Sequence, residues 1–374
     1  LAVVFPFCGI TAVINGYFYG ISNARIPGIT QIVEQLFRVA LVMVTAFFFL
    51  AGKMTASIAV LGLLAGELAS HFYNISHLLS RFSLSGIIHS KGSYRHLFAL
   101  SLPLSGNKLV IALLGSVESI LIPAMLMRYG YSGQDALAIF GILTGVVLPF
   151  LLFPGTLTNS LSVLLLPAIA RSEGQAQYDS VRRTTNLAIR YSILLGVLTS
   201  SLFLNFGIEI GDFVFHSENA GKLLTALAFL CPFLYVTTTL TSVINGMGKT
   251  GITFLHNVVG LCVRILFLVL ITPQKGIYGY LLGLLLSQIL ACVLNAVYLA
   301  RTRGVQYFLM NHFVWPMIYS GCLLYLAKAT GNWLAGKTTY EILRFVFLIP
   351  AAFLILLYLH YFRLIDWKDF LGRK

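Results

Sequence analysis

Leu109-Val110-Ile111-Ala112-Leu113-Leu114-Gly115-Ser116-Val117-Glu118-Ser119-Ile120-Leu121-Ile122-Pro123-Ala124-Met125-Leu126-Met127 carries one charge, Glu118, in an otherwise uncharged run. A helix needs about 20 apolar residues to cross the hydrocarbon of a bilayer, so this run reads as a transmembrane helix. Gly28–Leu50, Leu137–Leu152 and Leu343–Leu359 read the same way. Tilted β-barrel strands alternate polar and apolar residues over short segments, and the sequence shows no such alternation. The chain has 374 residues, 58% hydrophobic and 10% charged. A soluble domain carries about 25% charged residues, so this composition cannot furnish a water-facing surface. The spacing predicts about eleven spans: 1–20, 28–50, 55–79, 98–127, 136–168, 184–206, 222–246, 252–273, 278–300, 313–330 and 341–362. The stretch 136–168 is too long for one plain span and holds Pro149, Pro154 and Pro167, so it is expected to be kinked or broken.

The net charge is +13. In a membrane protein such an excess marks cytoplasmic loops rather than nucleic-acid binding. Alternate connections and the C-terminal tail hold 14 positive residues, among them Arg25, Arg81, Lys91, Arg95, Arg171, Arg182, Arg183, Arg301 and Arg303. The opposite set holds seven: Lys53, Arg128, Lys222, Lys275, Lys328, Lys337 and Arg344. The bias places the first set and the C-terminus in the cytoplasm, facing acidic lipid headgroups. Arg190, near a cytoplasmic end, is expected to snorkel. Trp315, Trp333 and Trp367 fall near interfaces and read as anchors. Leu1 opens inside an apolar run without a charged leader, which reads as a piece of a longer chain. The five cysteines lack CxxC spacing and read as packing residues. No metal or other cofactor is expected.

Sliding the sequence by 226 residues puts Pro6-Phe7 on Pro232-Phe233, Gly20 on Gly246 and Arg38 on Arg264. A shift of 221 puts Leu61-Gly62-Leu63-Leu64 on Leu282-Gly283-Leu284-Leu285, Glu67 on Gln288 and Asn74 on Asn295. The period spans six helices, an even number, so the two copies share one orientation, as in transporters whose substrate site lies between two parallel lobes. The expected organisation is the remainder of an N-terminal lobe at 1–80, a cytoplasmic linker at 81–97, a six-helix lobe at 98–300 and two additional helices within 313–362. Matching lobes imply roughly 130 further residues, about three spans, before Leu1.

Charges at membrane depth cost several kcal/mol and usually face a protein interior or a wet cavity. Arg38 follows Glu34 by one turn, and the two can pair. Arg264 has Gly260 at the corresponding place, so no acid on its own helix pairs with it, and its guanidinium suits phosphate. Ser101, Ser105, Lys108, Ala112, Gly115, Ser116 and Ser119 form a small and polar stripe with Glu118 at its edge. Such a stripe either lets helices approach closely or lines an aqueous cavity; Lys108 and Glu118 favour the cavity, and Asn107 joins that set. Glu118 is the candidate titrating or ion-coordinating group. Glu67 and His71, four apart, either pair or line the same cavity. Pro154 and Gly155 mark a candidate hinge, with a plain proline kink as the simpler alternative. No Walker A, HExxH or GxSxG motif and no sizeable soluble domain is present, so ATP-driven transport by this chain alone, and enzymatic chemistry, are not expected.

Phe5-Pro6-Phe7 with Ile14-Asn15-Gly16-Tyr17-Phe18-Tyr19-Gly20 and Gln31-Ile32-Val33-Glu34-Gln35-Leu36-Phe37-Arg38 resembles the fourth and fifth spans of the stage V sporulation protein B family. That family lies within the multidrug/oligosaccharidyl-lipid/polysaccharide exporter superfamily. Leu102-Pro103-Leu104-Ser105-Gly106 with Glu118-Ser119-Ile120-Leu121-Ile122-Pro123 resembles the seventh span. Leu148-Pro149-Phe150 through Leu165-Leu166-Pro167-Ala168-Ile169-Ala170 resembles the eighth, and Asn245-Gly246-Met247-Gly248-Lys249-Thr250 the connection after the tenth. The resemblance covers most of the chain. It implies fourteen spans in a two-lobed all-α bundle of a bacterial plasma membrane, and flipping of lipid-linked saccharides by alternating access. It also implies a cationic cavity meeting a polyprenyl pyrophosphate, with Arg38, Arg264 and Lys108 as counterparts by character; Glu34 and Glu118 depart from a purely cationic cavity. The expected partners are that lipid-linked substrate and membrane lipids, with a monomeric protein and no nucleic acid. A cation-coupled multidrug antiporter of the same superfamily is the alternative, and a membrane-embedded glycan polymerase a more distant one.

Overall fold

In the computed structural model the described residues are 4–21, 23, 25–48, 56–80, 94–306, 310–335 and 347–361. Every regular element among them is helical. The bilayer core offers no water to backbone amides, so spanning segments must satisfy their hydrogen bonds internally. Among the described residues seven helices are long and apolar enough to cross it, or eight if one bent pair counts as a span. By their contacts the residues form two units, Leu1–Phe98 and Ala99–Lys374.

The first unit contains α1 (Val4–Gly20), α2 (Arg25–Phe48) and α3 (Ala56–Leu79). Gly62 and Gly66, one turn apart on α3, let the backbone of α2 come close. A Cβ on Gly66 would lie 2.6 Å from the carbonyl oxygen of Glu34, and one on Gly62 would lie 2.5 Å from Val42 Cγ2. Small residues four apart are the usual means of close approach where lipid removes the hydrophobic drive between helices. Two turns further along, fully buried Asn74 ties all three helices together. Its Nδ2 donates to Asn15 Oδ1 at 3.2 Å, and its Oδ1 accepts from Thr30 Oγ1 at 2.7 Å.

The second unit opens with α4 (Tyr94–Tyr129) and then α5 (Gly133–Ile142), which Ser132 caps by accepting from the Asp135 amide at 3.1 Å. A π-helical turn at Leu143–Val147 and the short α6 (Leu148–Leu152) complete that span. The chain turns at 153–155 before α7 (Thr156–Gly174). The stretch expected to be kinked or broken is broken: a complete span, Gly133–Leu152, is followed by a separate helix. The break at Pro154-Gly155 is packed rather than open. Tyr235 donates its hydroxyl to Leu151 O at 2.7 Å, and its ring leaves no room for a side chain at 155, where a Cβ would lie 2.6 Å from Cε1.

Helix α8 (Tyr178–Phe215) is the axis of this unit. Its 38 residues rise about 57 Å, well beyond a hydrocarbon core of about 30 Å. Three apolar clusters share it: one with α4 to α6, α9 to α11 and α13, one with α7, α10 and α13, and one with α14 and α15. Beside it run α9 (Glu218–Leu227) and α10 (Leu230–Gly246), bent by 57° at the break between them. Pro232, in the first turn of α10, has no amide to continue an earlier helix. Glycines again set the spacing: a Cβ on Gly196 would lie 2.4 Å from Pro232 Cα, and one on Gly211 would lie 2.3 Å from Gly221 Cα.

Next come α11 (Thr250–Leu270), the single turn α12 (Thr272–Lys275) and α13 (Ile277–Arg303), which ends on Gly304 in the left-handed conformation at φ 62°. A second π-helical turn, Met310–Val314, leads into α14 (Trp315–Ala335), and α15 (Leu348–Tyr361) closes the described chain. The expected span 341–362 is thus seen from residue 347, and Arg81, Lys91 and Trp367 lie outside the described residues.

Helices α10, α11 and α13 repeat the hydrogen-bond plan of α1, α2 and α3. Fully buried Asn295 places its Oδ1 2.8 Å from His256 Nδ1 and its Nδ2 3.5 Å from Thr241 Oγ1. The shift of 221 pairs Asn74 with Asn295, and the shift of 226 pairs Thr30 with His256 and Asn15 with Thr241. Gly283, the counterpart of Gly62, again admits the neighbouring helix, with a Cβ there only 2.5 Å from Phe267 Cβ. Apolar residues match by chance between two membrane helices, but one buried amide bridging the same two neighbours twice does not. Replacing Asn295 with Leu leaves His256 and Thr241 facing apolar surface. We expect a loss of about 1–3 kcal/mol, above the ~0.6 kcal/mol average of single interhelical bonds, read as a lower melting temperature of the detergent-solubilised protein. An unchanged melting temperature shows that the hub contributes no stability.

Candidate functional site

Glu118 stands on the face of α4 that also carries Ile122, Met125 and Leu126, at the four-, seven- and eight-residue steps of one helical stripe. All three are buried in the core of the second unit. The carboxylate is carried inward with them and is 6% exposed. There its Oε1 accepts from the Tyr280 hydroxyl of α13 at 2.9 Å and lies 2.7 Å from Arg264 Nε of α11. A lone buried carboxylate would be prohibitive, whereas a paired one is tolerated. This pairing corrects the sequence expectation for Arg264. Position 260 is glycine because α11 and α13 approach closely there, a Cβ lying 3.3 Å from Ser287 O. The acid missing from α11 comes from α4 instead.

The contact is ionic by distance, but the Nε–H is not aimed at the oxygen. Arg264 therefore keeps its planar set of N–H donors largely uncommitted, with 21% of the side chain accessible. A guanidinium in that state is neutralised by Glu118 yet can take an anion in a bidentate manner.

The polar stripe on α4 divides. Lys108, Ser116 and Ser119 are exposed, and the two serines return their hydroxyls to Ala112 O and Gly115 O on their own helix. Lys108 and Glu118 therefore face different surroundings, and the side chain of Asn107 lies outside the described residues. Glu118, at the edge of the stripe, is buried where Lys108, Ser116 and Ser119 are exposed.

In the first unit Arg38 pairs with Glu34 on α2 as the spacing predicts. Both are partly accessible, at 27% and 21% of their side chains. Glu67 and His71 do not form an ion pair. Buried His71 lies 3.3 Å from Thr11 Oγ1 and meets Phe7 edge-on at 5.0 Å. Glu67 lines a cavity of about 190 Å³ with Val4, Phe7 and Leu64. No cluster of three or more metal-ligating side chains occurs among the described residues.

Two further ion pairs escaped sequence reasoning, since their partners are far apart along the chain. Lys328 on α14 reaches Glu209 on α8 at 2.6 Å and donates to Asn205 O at 2.6 Å. One turn nearer the start of α8, Ser201 and Ser320 share a hydrogen bond at 2.7 Å. Arg303 pairs with Glu173 and stacks 4.5 Å over the Tyr178 ring. Both pairs fasten helices of the second unit to one another.

Known proteins match this arrangement. The family model described as polysaccharide biosynthesis protein matches residues 1–173, and the model described as MatE matches residues 108–270. Stage V sporulation protein B of Bacillus subtilis (strain 168) is 26% identical over 314 residues, covering 81% of this chain and 61% of its own. Sporulation protein YkvU of the same organism is 24% identical over 312 residues, covering 81% of this chain and 70% of its own. The chain thus spans about three fifths of the length of the first of these relatives. Among solved structures, lipid II flippase MurJ in an inward closed conformation superposes with a TM-score of 0.66 at 14% identity, over 98% of this chain and 72% of that one. The all-helical fold, the two family matches and the sporulation relatives point the same way: the chain resembles the polysaccharide biosynthesis and MatE proteins of the multidrug/oligosaccharidyl-lipid/polysaccharide exporter superfamily, and is similar to stage V sporulation protein B.

Proposed function

We propose that the full-length protein flips a lipid-linked saccharide, of the polyprenyl pyrophosphate type, across a bacterial plasma membrane by alternating access. The observation that carries this reading is the Glu118–Arg264 pair: a partly accessible guanidinium at membrane depth beside one carboxylate, which itself accepts from the Tyr280 hydroxyl. Phosphate oxygens compete with a carboxylate for the same donors. Arriving pyrophosphate displaces Glu118 from Arg264, and its departure lets the pair close again. Arg38 with Glu34 offers a second such exchange, and Lys108 adds an exposed cation. The polyprenyl tail stays in lipid throughout. The protein carries no catalytic group in this reading, only binding and positioning residues. It works as a monomer with its C-terminus in the cytoplasm, as the charge bias supports.

Family and fold lend support, since the first relative is a sporulation protein and the matching structure is a lipid II flippase. The test is complementation. The full-length gene, expressed in a strain depleted of its lipid II flippase, is expected to restore growth. Failure of a well-expressed wild-type protein removes peptidoglycan precursor as the cargo. The MatE match over residues 108–270 favours one rival, a cation-coupled multidrug antiporter. That reading gains if the same strain acquires drug resistance without rescue.

A further inference from the structure

A cavity lies away from the Glu118–Arg264 pair, at the first turns of α8. It encloses about 1000 Å³. Arg182, Arg183 and Arg190 line it from α8, and His312 faces it from the π-helical turn before α14. Among the described residues of its wall Asp179 is the single acid, beside three arginines. Arg190, expected from the sequence to snorkel, is part of this basic wall.

Three further features narrow what the cavity takes. Asn186 also lines it, and its Oδ1 is buried with no hydrogen-bond partner. An orphaned buried acceptor costs about 1–3 kcal/mol, which a ligand hydroxyl would relieve. Leu187, Ile189 and Ile193 add apolar surface to the wall. Finally, α8 outruns the hydrocarbon, so its charged first turns stand where headgroups lie while its apolar middle crosses the core. Phosphate for the arginines, a hydroxyl for Asn186 and an apolar stem beside Leu187 are found together in one class of molecule.

We infer that this cavity binds the headgroup of a phosphate-bearing, hydroxyl-bearing membrane lipid. Arg182 and Arg183 hold the phosphate, Asn186 accepts a head hydroxyl, and the acyl or prenyl chain leaves along Leu187 and Ile193. The site is independent of the flipping assignment, and its failure leaves that assignment untouched.

The test is native mass spectrometry of the purified full-length protein titrated with defined lipids. Phosphatidylglycerol, which has both phosphate and free hydroxyls, is expected to bind at least about ten-fold more tightly than phosphatidylcholine, given the cost of an unmet polar partner. The double variant Arg182→Gln/Arg183→Gln is expected to weaken binding about ten-fold or more, because charge-assisted contacts to phosphate are lost. Both arginines are exposed, so melting temperature should hold and will report any misfolding. Asn186→Leu should lower affinity for phosphatidylglycerol while leaving that for phosphatidylcholine unchanged. Polyprenyl pyrophosphate forms a separate arm: tighter binding than phosphatidylglycerol, lost in the arginine variant, identifies the occupant as cargo rather than bulk lipid. Equal binding of phosphatidylcholine, full competition by inorganic phosphate, or unchanged affinity in the arginine variant overturns the proposal.

Discussion

Arg264→Ala in the full-length protein is expected to abolish rescue of the flippase-depleted strain, with transport falling by about 10- to 100-fold for the loss of one or two charge-assisted contacts of roughly 1.5–3 kcal/mol. The single variant alone would not prove the point. Removing Arg264 strands the buried Glu118 carboxylate, and breaking a buried pair costs about 3–5 kcal/mol in stability. Loss of rescue could then be loss of folded protein. The double variant Arg264→Met/Glu118→Gln separates the two effects. It removes both charges at similar volume, and such replacements are often neutral or stabilising. Tyr280 can still donate to the glutamine oxygen. We therefore expect the double variant to recover the wild-type melting temperature and membrane level but not rescue. If it restores growth, the pair is structural and the pyrophosphate is bound elsewhere. Glu118→Gln alone keeps the guanidinium and frees it, so it should retain substrate binding while impairing the cycle that requires release.

Gly211→Val is expected to eliminate folded protein. Gly207 and Gly211, one turn apart on α8, face α9, where a Cβ on Gly211 would lie 2.3 Å from both Cα and N of Gly221. Those atoms are backbone and cannot swing aside. Any side chain forces α8 and α9 apart along the crossing that Leu223, Leu224 and Leu227 seal with the core. Overpacking of a tight core costs about 1–3 kcal/mol when side chains can yield, and here they cannot. Membrane level and a size-exclusion profile in detergent should both collapse. Gly145→Val is the control, since a Cβ at Gly145 meets nothing within 4 Å. Equal expression of the two variants would mean that α8 and α9 do not cross as closely as described.

Much of this molecule was legible in the chain. Run length and charge scarcity called for membrane helices, because in hydrocarbon a segment must satisfy its own backbone. The Glu34–Arg38 pair followed from helical spacing, since both residues lie on one short element and geometry there is local. The repeat showed in matched Pro, Gly, Asn and Arg positions, and the twin hubs of Asn74 and Asn295 give those matches a hydrogen-bonded meaning. The likeness to an exporter family was likewise carried by residues in order along the chain.

What spacing along one helix could not express was the partner of a residue on another. Arg264 looked unpaired because its own helix offers only Gly260, while its acid lies 146 positions earlier on α4. Glu118 looked like the rim of a polar stripe, yet the packing of Ile122, Met125 and Leu126 turned its carboxylate into the core. Lys328 finding Glu209, and Tyr235 filling the space over Gly155, are decisions of the same sort. The sequence by itself determined the helices, their period and their affiliation, since these follow from local burial and backbone satisfaction. Only the tertiary structure decided which charges neutralise which, because a buried ion takes the nearest counter-charge in space, whatever its place in the chain.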